Sequence, residues 1–445
     1  MKARLEAIIA LTLLLVGSIL RILFAPYSTG SDIAQFYGFA RSFSADPLCI
    51  YMHETSTSRE WPYSWLYPYG PFFAFLLSIV YELVGDHGDM VEWWWEGDRY
   101  VVVVDRVWIL SLKAVFIAGD IIAAYLLYRI AKPRGMDRGL LLAALYYFSP
   151  IVVYTSSIYG MFDSIALAFM LASLAITHRP LVSGIMAGTA VMVKQTMILP
   201  VLLTGLVLVM GATKRLFWYI IGVVLAVSLP LSLILLSCPE SSFGLVLALQ
   251  YQSQVYYPKP LVYSMNGFSS IATYINDVYG YDTLTILRLW PLTLGLISVA
   301  VIMRALDAKV LRDPILTASL GYIAFIISYW RINPQYLAPL AAFTLLLLFK
   351  CGNTSSRLRA AIISSFIIVN MWPMIYPVDF WFHVHIEEPN EEVRSIVRLL
   401  SLNIYDNIVY VAYSLVLSIT LLIVLFYILY KCKIMGVQHV RRGVT

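Results

Sequence analysis

Asp32, Asp163, Lys194 and Arg331 lie in four stretches far apart in the chain, TGSDIAQFY, YGMFDS, VMVKQT and YWRINPQYL. In each, the charge borders a long apolar run. A charged side chain close to hydrocarbon is costly, so one retained there is a functional candidate. Together these residue types suit one kind of chemistry. A carboxylate can take the proton of an attacking hydroxyl, while cations receive a departing phosphate or pyrophosphate. Gln195 adjoins Lys194, and Asn333, Gln335 and Tyr336 follow Arg331, so further polar groups collect at the same points. Two simpler readings stand beside this one. Asp163 opens an apolar helix, where the macrodipole alone favours a carboxylate, and Asp32 could merely be solvated in a loop.

The elements that would bring the four stretches together are membrane spans. The chain has 445 residues, 60% hydrophobic and 13% charged, with a mean hydropathy of +0.78; a soluble domain carries about 25% charged residues. Apolar runs suited to crossing a bilayer occur at the N-terminus and near 108–130, 140–156, 163–178, 181–194, 196–212, 216–237, 285–303, 314–330, 334–349, 360–376 and 408–430. The expected fold class is an all-α polytopic membrane protein of about twelve transmembrane helices. The run YGPFFAFLLSIVYELVG at 69–85 is the exception. If it spanned, every later basic loop would change side, so it is read as interfacial or re-entrant. Most of the 31 Lys and Arg then fall in cytoplasmic loops, with both termini on that side. The first run follows Lys2 and Arg4 without a small-residue cleavage site and reads as an uncleaved anchor. The outer face acquires long segments at 25–107, 238–284 and 376–407 that carry juxtamembrane helices. All four charged stretches lie at that face, and Lys194 and Arg331 depart from the positive-inside trend there.

Other chemistries lack their motifs. There is no GxxxxGK[ST] loop, no HExxH and no paired CxxC, which leaves no case for an ATPase, a zinc protease or a thiol redox site. HVH at 383–385 reads more readily as solvated than as a metal site, and no metal ligand set is assigned. The net charge of +5 is explained by orientation, without nucleic acid. EWWWEGDRY and ALQYQSQVYYPKPLVYSMNGF read as interfacial aromatic belts. Cys49 and Cys238 fall on the outer side, either paired or as two free thiols; Cys351 and Cys432 fall inside.

The order of these motifs resembles the GT-C superfamily of polyprenyl-phosphate-sugar-dependent glycosyltransferases. The resemblance runs through an Asp after the first span, the amphipathic YPYGPFFAFLL, LKAVFIAGDIIAAYLLYRI, SPIVVYTSSIYGMFDSI and AGTAVMVKQTMILP, and covers roughly residues 1–345. It is nearest to the mannosyltransferase that adds the first mannose of glycosylphosphatidylinositol and to related archaeal and bacterial enzymes. It implies a catalytic module over 1–350, with further helices and a cytoplasmic tail over 351–445. It also implies a dolichyl- or polyprenyl-phosphate hexose donor, a lipid-linked or glycan acceptor, inversion at the anomeric carbon and no required cofactor. The expected location is the plasma membrane, or the endoplasmic reticulum in a eukaryote. Asp32 matches the first carboxylate of the family's Asp-x-Asp, and Ala34 stands where the second would be. Asp163 matches the family's xxDS turn, Lys194 and Gln195 its basic outer turn, and Arg331, Gln335 and Tyr336 its NxQY-like stretch, with Asn333 between them. Asp32 would be the base, Lys194 and Arg331 the phosphate ligands, and Gln195, Asn333, Gln335 and Tyr336 substrate contacts. Asp163 would orient a sugar hydroxyl or hold one of the cations. A secondary transporter is the rival class, but it would show paired repeats with broken helices near the midplane.

Overall fold

The computed structural model describes residues 2–52, 66–84, 90–96, 99–211, 213–253, 255, 264–307, 313–351, 355–375, 384–386 and 407–431. Among these residues the chain is a bundle of helices with one small sheet. Six helices are individually long and apolar enough to cross a bilayer, and a bent pair, Met136–Tyr147 with Pro150–Tyr159, would make a seventh. The other expected runs fold as shorter or less apolar helices: α7 (Asp163–Ala175), α8 (Pro180–Val193), α9 (Ile198–Gly211), α15 (Pro314–Ser328) and α17 (Ser356–Ile375). At 1.5 Å per residue the 14 residues of α8 reach about 21 Å, well short of a 30 Å hydrocarbon core.

Burial sorts the helices into layers. α16 (Leu337–Cys351) is enclosed along most of its length, whereas α1 (Lys2–Phe24), α10 (Thr213–Ser237) and α14 (Trp290–Asp307) turn long rows of Leu, Ile and Val outward. In water such surfaces would drive association; in a bilayer they need no cover. α10 therefore has to be held by close approach rather than by hydrophobic burial. A Cβ at Gly184 of α8 would stand 2.1 Å from the Tyr219 carbonyl oxygen, and one at Gly222 of α10 would stand 2.2 Å from that of Leu181. The two backbones touch along this seam.

Residues 25–105 begin and end at one face of the bundle. Lys113, two turns into α4 (Arg106–Ala131), bonds to carbonyls just after α1, and Arg21 near the end of α1 pairs with Asp120 further along α4. α1 and α4 are therefore antiparallel neighbours. The 69–85 run forms α3 (Pro71–Val84), 14 residues packed on α2 (Ser31–Ala45) within this segment. A Cβ at Gly70 would lie 2.1 Å from the Met192 carbonyl oxygen, so only glycine lets the start of α3 seat on the end of α8. Cys49 and Cys238 are joined in a disulfide, which ties the segment after α2 to the end of α10.

The aromatic stretch EWWWEGDRY folds into strands. β1 (Val91–Glu96) and β2 (Arg99–Val104) form an antiparallel hairpin, and β3 (Val384–Ile386) adds to β2 in parallel. A run of β-branched and aromatic residues favours this over a helix. His385 of the HVH stretch stands opposite Val103 in the sheet, while His383 lies outside the described residues, as does most of 376–407.

The basic connections around Lys132, Arg179, Lys214, Arg304 and Lys350 lie at the other end, where Lys350 bonds Asp313, the residue that caps α15, at 2.5 Å. Single cysteines introduced at Asp282, beside the 25–105 face, and at Arg138, among the basic connections, should be labelled by an impermeant maleimide from opposite sides of sealed vesicles. Labelling of both from one side would contradict this arrangement.

Candidate active site

The four charged stretches meet at one end of the bundle. Each lies at a break between helices, where the chain has backbone free to aim a side chain inward. Asp163 is the first residue of α7 and is fully buried. It is preceded by a π-helical turn, Tyr154–Tyr159, and by Gly160 at φ +82°, a left-handed conformation that glycine alone adopts readily. π turns recur at functional sites because the extra residue re-aims side chains. Lys194 ends α8 in an extended conformation, which directs its side chain across the gap to Asp163 instead of outward. The Arg331–Asn333 segment is extended because Pro334 disfavours helical backbone in the residue before it. That turn is clamped from the neighbouring loop: Met265 N–H donates to the Ile332 carbonyl at 2.7 Å and the Asn266 amide donates to the carbonyls of Ile327 and Tyr329.

Lys194 Nζ pairs with Asp163 Oδ2 at 2.5 Å, with both side chains almost completely buried. The ammonium also lies over the rings of Phe162 and Tyr336, 4.7 and 4.8 Å from their centroids. A cation held between aromatic faces and a carboxylate is stabilised where water cannot reach it. The other oxygen of Asp163 has no hydrogen-bond partner among the described residues, and neither do Asn333 Oδ1 and Gln335 Oε1. These buried acceptors leave the site short of donors, which a hydroxyl-rich ligand would supply.

Asp32, in the first turn of α2, is partly accessible at the same end of the bundle. Burial raises its carboxyl above the ordinary range; Lys194, a hydrogen bond from Tyr159 and Arg331 act in the opposite sense, and Asp163 adds to the rise. Lys194 and Asp163 are joined directly and Asp32 and Arg331 lie within electrostatic reach, so the four sequence candidates stand together. Arg331 is half-buried and makes no hydrogen bond or ion pair among the described residues. It is the available cation here, whereas Lys194 is already engaged by Asp163.

The polar neighbours divide. Asn333, Gln335 and Tyr336 stand with Arg331 at this end of the bundle. Gln195 instead donates its amide to the Pro68 carbonyl and holds the 66–70 turn against the end of α8. Ala34, where the resembling family has a second acid, is fully buried in the core, so a carboxylate there would have no solvent. Residues that the motifs did not single out complete the site. Tyr159 bonds Asp32, and Tyr69 stands near Asp32, Asp163 and Arg331. Phe162 stacks on Phe73 at 3.5 Å and meets Tyr69 edge-on at 4.9 Å, packing the floor. Deeper in, Arg21 pairs with Asp120 at 2.9 Å, donates to the Tyr147 carbonyl at 2.7 Å and lies over the Tyr147 ring. Ser156 donates to the same Asp120 oxygen at 2.6 Å. An ionisable residue within an apolar run was the signal for Arg21, Lys113 and Asp120 alike. Among the described residues no group of three His, Cys, Asp or Glu could hold a metal ion.

No family model matches the chain, and no curated protein does. Among solved structures, ArnT from Cupriavidus metallidurans bound to undecaprenyl phosphate aligns over 96% of this chain and 77% of its own, at 14% identity and a TM-score of 0.50. The chain shares the ArnT fold. The apo structure of the same protein gives 0.48 at the same identity. The polytopic, mainly helical architecture expected from the sequence is thus the one observed, and it matches that ArnT structure over nearly the whole chain.

Removing one member of a buried ion pair costs about 3–5 kcal/mol because the other charge is left uncompensated. Lys194→Met should therefore lower the thermal transition of the detergent-purified protein strongly. Lys194→Met with Asp163→Asn should recover much of that loss, a coupling readable in a double-mutant cycle.

Proposed function

We propose that the protein is a membrane glycosyltransferase that moves a sugar from a polyprenyl-phosphate carrier to a lipid-linked or glycan acceptor. The observation that carries this reading is a guanidinium, Arg331, without a partner among the described residues and within electrostatic reach of a carboxylate, Asp32, beside the Asp163–Lys194 pair. A fold shared with a protein crystallised on undecaprenyl phosphate supports a carrier of that class.

In the proposed reaction the Asp32 carboxylate takes the acceptor hydroxyl proton as that oxygen bonds to the anomeric carbon. The bond from that carbon to the phosphate oxygen breaks with its electron pair, and the configuration inverts. Arg331 receives the leaving phosphate bidentately, and Lys194 contributes its field while held by Asp163. Gln335, Asn333 and Tyr336 would meet sugar hydroxyls. The basic connections opposite the site support a reaction on the outer or lumenal side, with both termini cytoplasmic. A hexose, mannose above all, and a dolichyl carrier are the substrates that the motif resemblance favours, in the plasma membrane or the endoplasmic reticulum.

Purified protein incubated with radiolabelled polyprenyl-phosphate sugars and membrane lipid extract should yield labelled product; the absence of transfer from every donor would overturn the proposal. General-base catalysis contributes about 10²–10⁴-fold, so Asp32→Asn should lower kcat by that factor with donor binding retained. Arg331→Lys should weaken donor use although the charge persists, because an ammonium cannot replace a bidentate fork.

The pH dependence is set by Asp32. Its carboxyl titrates above the usual range, and the base is lost as pH falls through that raised value, so the acid limb of kcat/KM should lie above the ordinary carboxylate range. The Tyr159 bond favours the charged form; Tyr159→Phe should move the limb to still higher pH. A limb unmoved in Tyr159→Phe would dissociate the two groups.

A further inference from the structure

Lys113 is fully buried in the second turn of α4, and no carboxylate pairs with it among the described residues. Its ammonium is instead enclosed by four backbone carbonyls: Ala25 at 3.0 Å, Ser28, Ser157 at 2.8 Å and Ile158 at 3.1 Å. An ammonium, with three N–H donors, suits four surrounding oxygens better than a neutral amine, which would turn its lone pair on an acceptor. The oxygens come from two places. Ala25 belongs to the short turn that ends α1, and Ser157 and Ile158 to the π turn that ends the bent helix. Helix ends expose carbonyls without intrahelical donors and carry the negative end of the dipole, so one cation satisfies both ends at once.

Both helix ends lead directly into the reactive part of the site. Ser28 lies four residues before Asp32; Ile158 immediately precedes Tyr159, which bonds Asp32, and lies five residues before Asp163. The two stretches of chain are stitched once more where Gly30 N–H donates to the Tyr159 carbonyl at 2.9 Å. Gly160 lies against the Lys113 stem, where a Cβ would meet Lys113 Cε at 3.2 Å. Asp32 and Asp163 thus sit on two segments whose separation is fixed through one ammonium.

We propose that Lys113 is a positioning residue which, by binding the carbonyl ends of two helices, sets the distance between Asp32 and Asp163. The proposal rests on the reading of these two carboxylates as parts of a transferase site. It makes Lys113 a built-in counterpart of a structural cation, one that never touches substrate.

The test uses two variants of the full-length protein. Lys113→Met keeps the stem and removes the charge. Lys113→Ala leaves a channel that n-propylammonium can fill. Displacing a reacting group by about 1 Å costs about 10²-fold. Lys113→Met should lose about that factor in kcat with the donor KM within twofold of wild type. Lys113→Ala should lose as much, regain activity in n-propylammonium and not in n-propanol, and gain thermal stability from the amine alone, with wild type unaffected by either. Independently of turnover, the pH midpoint for carbodiimide modification of Asp32, read by mass spectrometry without amine, should move in Lys113→Met. Turnover by Lys113→Met equal to wild type, or equal rescue of Lys113→Ala by n-propanol, would overturn the proposal. Should wild type transfer no sugar from any donor, the transferase reading fails; the Asp32 midpoint and the amine-specific thermal shift then decide Lys113, and an unmoved midpoint refutes it.

Discussion

Charge enclosed in an apolar bundle has to be answered inside it, and much of the site's geometry is set by how three buried cations meet that demand. Lys194 is answered by Asp163 and two aromatic faces, Arg21 by Asp120 and the Tyr147 carbonyl, and Lys113 by four carbonyls. A cation in hydrocarbon without such partners would be expelled or neutralised. Each partner set joins segments distant in sequence, so satisfying the charge also fixes where helices end. Arg331 departs from this pattern. Its guanidinium is half-buried and has no hydrogen bond or ion pair among the described residues.

These cations also explain why the helices around the site can be short. α7, α8 and α9 stop early, and their ends would be poor in hydrogen bonds if they simply frayed into lipid. They end against one another instead: the π turn against Lys113, the end of α8 against the start of α3, and the Arg331 turn against Met265 and Asn266. Irregular backbone is tolerated at membrane depth where protein covers it.

The sequence revealed the class and the site more readily than the connections. Hydropathy located the helices because each is an unbroken apolar run, and the exclusion of 69–85 from the spans agrees with α1 and α4 being antiparallel neighbours. Asp32, Asp163, Lys194 and Arg331 were legible because charge beside hydrocarbon is rare. The role of Gln195 was not, since an amide that bonds a carbonyl 127 residues away looks, in sequence, like one that bonds a ligand. Local composition also left the secondary structure of EWWWEGDRY open: tryptophans favour interfaces and strands alike, and only the pairing with Tyr100–Val104 shows the hairpin. Lys113 and Asp120 carried the same signal as the four candidates, but an apolar run conceals whether its charge faces a site or another helix end.

The Cys49–Cys238 link closes a loop with a sequence separation of 189. For a soluble chain, loop-closure entropy alone would credit such a bond with about 5 kcal/mol. That credit assumes that the reduced, unfolded chain wanders freely in three dimensions. A polytopic chain released from its native packing still has its helices confined to a sheet of lipid, with their directions already alternating, so most of the freedom the bond would remove has gone before it forms. The bond is therefore better understood as setting register than as adding strength. It fastens the lipid-facing α10, which packs on α8 along a seam of glycine contacts, to the segment that carries Asp32.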